Sequence, residues 1–194
     1  MSWTDTAEIN AIYQVELPGG VERLQEAVLY VCSKAIDMER FGRVKLNKIL
    51  WRADFMAYAE RGVPVTGRAY VKLPEGPVPS EMTIVSNRLL RGGHLRTDEI
   101  QVGQHTEKRP VALAQPNLKY FSPLDLDFLD GAIKHFWKHT GAAASEESHG
   151  IAWKTRELGE NLPYQSALFS NATLSSREAD KLAGLAKERG WKTQ

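Results

Sequence analysis

A chain of 194 residues with 42% hydrophobic and 25% charged side chains is long enough to bury one core and too apolar to be disordered. Its 25 Lys and Arg face 24 Asp and Glu, a net charge of +1 that lacks the basic excess of a dedicated nucleic-acid binder. The single cysteine, Cys32, excludes an internal disulfide and a cysteine-rich zinc site. The longest apolar run, Ala27 to Cys32, is far below the roughly 20 residues that span a bilayer. The N-terminus lacks the basic, apolar, small-residue order of a signal peptide, so a cytoplasmic protein with no membrane partner is expected. With no repeat, low-complexity tract or linker, residues 1–194 read as a single domain.

Gly19 and Gly20 open a segment where Val21, Leu24, Ala27, Val28, Val31, Ala35 and Met38 recur at helical spacing. Cys32 lies at the margin of that stripe and reads as a buried, inert thiol. A second helix, about Val44 to Arg61, aligns Leu46, Ile49, Leu50, Ala53 and Ala57 on one stripe. Beside it Asn47, Trp51, Asp54 and Tyr58 form another, with Phe55 further round. This predicts packed neighbours on more than one side.

From Val63 to Leu73 the pattern becomes a short strand or extended arm, and Pro74, Gly76, Pro77 and Pro79 make a stiff turn. Ser80 is expected to cap the next helix, with Glu81 in its first turn, Met82, Val85 and Leu89 inward, and Gly92 and Gly93 ending it. Strands are predicted around Leu95 to Val102 and Arg109 to Leu113, with a polar turn containing Gly103 between them. Ser122, Pro123 and Asp125 predict a capped helix running to Gly141. Short and long helices follow, from Ala142 to His149 and from about 176 to 189. The fold expected is mainly α: a compact helical domain with a small β-hairpin or short antiparallel sheet.

Catalytic signatures are missing: no phosphate-binding loop, dinucleotide fingerprint, zinc-protease histidine pair or nucleophile elbow. No enzyme, cofactor or metal is therefore expected. His135 and His139, four apart, fall opposite the Leu126 and Ile133 stripe and read as solvent-facing, with no third ligand evident. Asp54 reads either as a satisfied buried network or as the orienting group of a recognition surface anchored by Trp51 and Tyr58. His149 reads as a helix-end residue or a general base. Arg88, Arg91 and Arg96 read as solvated charge.

Lys45, Leu46, Lys48, Ile49, Leu50, Trp51, Ala53 and Asp54 are followed by Gly62, Pro64, Val65, Thr66, Gly67 and Tyr70, then by Gly76, Pro77, Val78 and Pro79. In that order they resemble the Panacea domain of the SocA-like antitoxins. Ser148, His149, Trp153, Pro163 and Tyr164 resemble its C-terminal signature, so the likeness spans about residues 20–165. The resemblance implies a mostly helical domain that neutralises a cognate protein toxin, encoded nearby or in a prophage, by direct protein–protein contact. Some members act as adaptors that deliver the toxin to a protease. Candidate toxin-binding or motif residues are then Asn47, Trp51, Asp54, Tyr58, Tyr70, Pro77, Pro79, His149 and Trp153. One alternative is a small-ligand-binding domain or enzyme with a cleft between Asp54 and His149. A second is a nucleic-acid-binding regulator, which the charge balance disfavours.

Overall fold

The computed structural model describes residues 13–168; the helix expected over 176–189 lies outside them. Helix α1 (Gly20–Lys34) begins where Gly19 takes a φ of +94°, a left-handed conformation that favours glycine. It buries Leu24, Ala27, Val28, Val31 and Cys32 completely or nearly so. Burial pushes the Cys32 thiol up to about 12, so the thiolate is suppressed as its position on the stripe implied.

Helix α2 (Arg43–Arg61) is the central element. Its buried set includes Leu46, Ile49, Leu50, Ala53 and Ala57, but also Lys45, Lys48, Asp54 and Phe55. Of the second stripe Asp54 is buried, and Asn47, Trp51 and Tyr58 are partly covered. Gly62, at a φ of +73°, ends the helix and donates its N–H to the Tyr58 carbonyl.

The chain then makes β1 (Tyr70–Leu73) and β2 (Gly76–Pro79), paired antiparallel with Tyr70 opposite Pro79 and Leu73 opposite Gly76. Helix α3 (Met82–Arg91) follows. Ser80 does not cap it. The Ser80 hydroxyl donates to the Ala69 carbonyl at 3.1 Å, and the Glu81 carboxylate is drawn to Arg68, so both side chains are tied back toward β1. Gly92 ends α3, its N–H donating to the Arg88 carbonyl.

Strands β3 (Leu95–Val102) and β4 (His105–Ala112) form a separate two-stranded antiparallel sheet. β4 starts earlier than Arg109, because the polar residues through Lys108 complete the ladder opposite Glu99 to Val102. Arg96 is paired with Asp98 and does not join Arg88 and Arg91 in a free basic patch.

Helix α4 (Pro123–Phe136) opens on a full capping box. The Ser122 hydroxyl accepts the Asp125 N–H at 3.2 Å, and the Asp125 carboxylate accepts the Ser122 N–H at 2.7 Å. Asp125 also binds Arg23 and Arg61. Burial raises its pKa, but the bonds from Arg61 and Ser122 and the charge of Arg23 outweigh that and hold it below the usual carboxylate range. The helix stops at Phe136, short of Gly141. Thr140 turns extended there, and its hydroxyl accepts the Ala143 N–H at 3.1 Å, starting α5 (Gly141–Glu147) as a new helix.

Helix α6 (Ile151–Lys154) is a single turn, and β5 (Asn161–Leu162) pairs antiparallel with β1. The small sheet thus has the order β2-β1-β5, with β1 central. A 3₁₀ turn over Tyr164–Leu168 brings the chain back against α2. The described residues are mainly α with two small antiparallel sheets. Among the described residues, no helix is long and apolar enough to cross a membrane.

Candidate functional site

Helix α2 contributes a buried residue to each of two polar networks, Asp54 to one and Lys48 to the other. The first is centred on Asp54, which is fully buried. Its carboxylate accepts the Thr66 N–H at 2.5 Å, the Thr66 hydroxyl and the Tyr70 hydroxyl at 2.8 Å. Tyr164 stands 3.4 Å from the same carboxylate, and its hydroxyl donates to the Arg68 carbonyl at 2.7 Å. Burial raises the Asp54 pKa to about 6; the bonds from Thr66 and Tyr70 act the other way and offset part of that rise. The rings around it pack at 5.0 to 5.6 Å: Phe55 against Trp51, Tyr70 and Tyr164, and Tyr58 stacked on Tyr164. Such pairs contribute beyond the area they cover.

The second network fixes the β1–β2 turn to α2 and α5. Lys48, 1% exposed, donates to the Pro77 carbonyl at 2.8 Å. The Ser148 hydroxyl donates to the Ser145 carbonyl, and the Ser145 hydroxyl to the Glu75 carbonyl. Gly76, with a φ of +98°, lies so close to Lys48 and Ser148 that a Cβ would sit 2.8 Å from Lys48 Nζ. His149 stacks on Trp153 with ring centroids 3.7 Å apart, Lys72 Nζ lies 4.2 Å from the Trp153 centroid, and the indole N–H donates to the Leu73 carbonyl. Burial lowers the His149 pKa, the charges of Lys48, Lys154 and Lys72 adding to it against Glu146.

Burial pushes the Lys48 pKa down to about 7 from 10.5, with Glu75 opposing. Between those values the unfolded chain binds more protons than the folded one, so the Lys48 contribution to stability rises with pH. Urea unfolding of Lys48→Met beside the parent should show the parent gaining about 2 kcal/mol on the variant between about pH 7 and pH 9. A gap that stays constant over that range would mean Lys48 is charged in the fold.

Between the networks is a surface depression of about 170 Å³ lined by Trp51, Phe55, Met56, Pro77, Ile151 and Trp153. Met56 and Ile151 are 46% and 41% exposed, so its rim is apolar and open.

The structure distributes the sequence candidates unevenly. Trp51, Pro77 and Trp153 meet at the depression. Tyr58 does not line it and stacks on Tyr164. Asp54 and Tyr70 have no exposed surface, and Pro79, opposite Tyr70, is buried. These three have almost no surface to offer a partner. Asn47 lies apart, in a groove with Arg43, Met82 and Thr83, its side-chain oxygen enclosed with no partner among the described residues. The Asp54/His149 cleft is corrected: Asp54 is sealed by Thr66, Tyr70 and Tyr164, whereas His149 belongs to the Trp153 stack. His135 and His139 are half-buried rather than solvent-facing, and Glu147 reaches both. Lys48, Thr66, Ser148 and Tyr164, unread as site residues, hold the two networks together; Met56 and Ile151 supply the rim.

A family model described as Antitoxin SocA-like, Panacea domain, matches residues 46–154. That covers more than half of the chain and runs from α2 to the last residue of α6. No curated protein and no solved structure matches.

Proposed function

We infer that this chain, which belongs to the antitoxin SocA-like, Panacea domain family, neutralises a cognate toxin by binding it as a protein, with no chemistry of its own. The family match carries this reading. The matched stretch contains the Lys48 network and all of the Asp54 network except Tyr164, and its open face is the depression framed by Trp51, Met56, Ile151 and Trp153. Aromatic anchors ringed by exposed apolar side chains suit a protein partner, where a few such residues carry most of the binding energy. The Asp54 and Lys48 networks support that face by holding its elements in one arrangement before binding, which lowers the ordering cost. The partner we assign is the product of a neighbouring gene, and cytoplasmic action follows from that pairing.

Co-expression with the neighbouring gene product, scored for growth rescue, toxin level and co-purification, tests the reading. Rescue with a stable complex supports occlusion; rescue with loss of the toxin supports delivery to a protease. Absence of both rescue and complex would overturn the reading. Ile151→Asp and Met56→Asp, each at an exposed position, should weaken the complex at least about tenfold, or about 1.4 kcal/mol, with Tm unchanged. Full affinity in both would move the interface elsewhere.

A further inference from the structure

The end of α4 carries an arrangement that neither network uses. The His135 and His139 rings lie 5.1 Å apart, and the fully buried Phe136 packs edge-on against both, at 4.8 and 5.4 Å. The core thereby orients the two imidazoles. Glu147, the last residue of α5, returns to them: one carboxylate oxygen lies 2.6 Å from His135 Nε2 and the other 3.4 Å from His139 Nε2. The three ligand atoms lie within 4.8 Å of one another, and each side chain keeps about a third of its surface open. His139 Nδ1 is enclosed and has no hydrogen-bond partner among the described residues, so Nε2 is the nitrogen that ring offers.

We propose that His135, His139 and Glu147 form a binding site for a divalent transition cation of the zinc or nickel kind. Two imidazoles and a carboxylate are ligands such ions prefer, whereas magnesium and calcium take oxygen ligands. Zinc holds nitrogen and carboxylate oxygen at about 2.0–2.2 Å. Ligand atoms up to 4.8 Å apart reach that spacing by small rotations of half-exposed side chains. A fourth position stays open to water. The Arg52 guanidinium, 3.1 Å from the Glu147 carboxylate, is a competing cation that a metal displaces. Once bound, the metal fastens α5 to the end of α4, and with it the entry to the Ser148–Trp153 segment.

The test is titration of the tag-free full-length protein with Zn²⁺, Ni²⁺ and Mg²⁺, followed by calorimetry and thermal melting. One Zn²⁺ or Ni²⁺ should bind per chain and raise Tm by about 5 °C at a hundredfold excess over Kd, with no response to Mg²⁺. His139→Ala and Glu147→Gln should each weaken binding at least about tenfold. Arg52→Gln should tighten it severalfold, a change that a purely structural ion pair would not produce. Absence of binding by the parent protein overturns the proposal. So does Zn²⁺ affinity kept by Glu147→Gln but lost by His139→Ala, the behaviour of a simple two-histidine chelate.

Discussion

Asp54→Ala should lose about 3–5 kcal/mol of folding stability and lower Tm by about 10 °C. The reason is what the truncation leaves behind. The Thr66 N–H and the Thr66 and Tyr70 hydroxyls all converge on this carboxylate in a site with no exposure. Removing the acceptor strands them at about 1–3 kcal/mol for each group left without a partner. The adjoining Phe55, Tyr58 and Tyr164 rings have little freedom to close the gap. Asp54→Asn keeps one acceptor oxygen and should cost less. The parent also has a pH signature. Its Asp54 pKa is raised in the fold from 3.8 to about 6, so the folded state binds the proton more tightly. Its contribution is greatest below the unfolded value and falls as pH rises through about 6. Chemical unfolding of the parent and Asp54→Asn across that window reads it directly. A loss below about 1 kcal/mol in Asp54→Ala would show that the network contributes little.

Gly76→Ala should be nearly as damaging, at about 3 kcal/mol or more, for a different reason. A φ of +98° is one an L-residue adopts only at a cost of about 1–3 kcal/mol. The added methyl would also press on Lys48 Nζ at 2.8 Å and still more closely on the Ser148 hydroxyl. Both neighbours are 1% exposed, so neither swings into solvent. The double variant Gly76→Ala/Ser148→Ala should recover about 1 kcal/mol relative to additivity, because the second change removes one of the clashing atoms. Strict additivity in equilibrium unfolding would place the whole cost in the backbone angle.

The sequence made legible what is encoded locally. Ser122, Pro123 and Asp125 lie within four positions and announce a helix start whose geometry needs no distant partner. The two stripes of α2 indicated packing on more than one side: the first is buried along its length, and of the second Asp54 is buried while Asn47, Trp51 and Tyr58 are partly covered. The Panacea likeness was legible in residue order, and the matched stretch, 46–154, lies within the 20–165 read from it. What stayed hidden depends on chain separation. Asp54 read equally as a buried network or as a recognition residue, because nothing near it in sequence shows that Tyr164, 110 positions away, closes over it. Lys48 sits among residues that a helical wheel cannot rank, and its burial follows from Gly76 and Pro77 approaching from a different element. The end of α4 was misplaced because Thr140, an N-cap for the next helix, was outweighed by the later Gly141.

The pairing of β1 with β5 has a consequence for the order in which the molecule is made. Tyr70 and Val71 wait for Leu162 and Asn161, and Asp54 waits for Tyr164. At about 5–20 residues per second, a ribosome adds the 110 positions between Asp54 and Tyr164 in roughly 5–20 seconds. Throughout that interval the nascent chain holds an acidic side chain and one open edge of β1 without their final cover. A factor that reads unpaired strand edges has that interval in which to act, before β5 arrives.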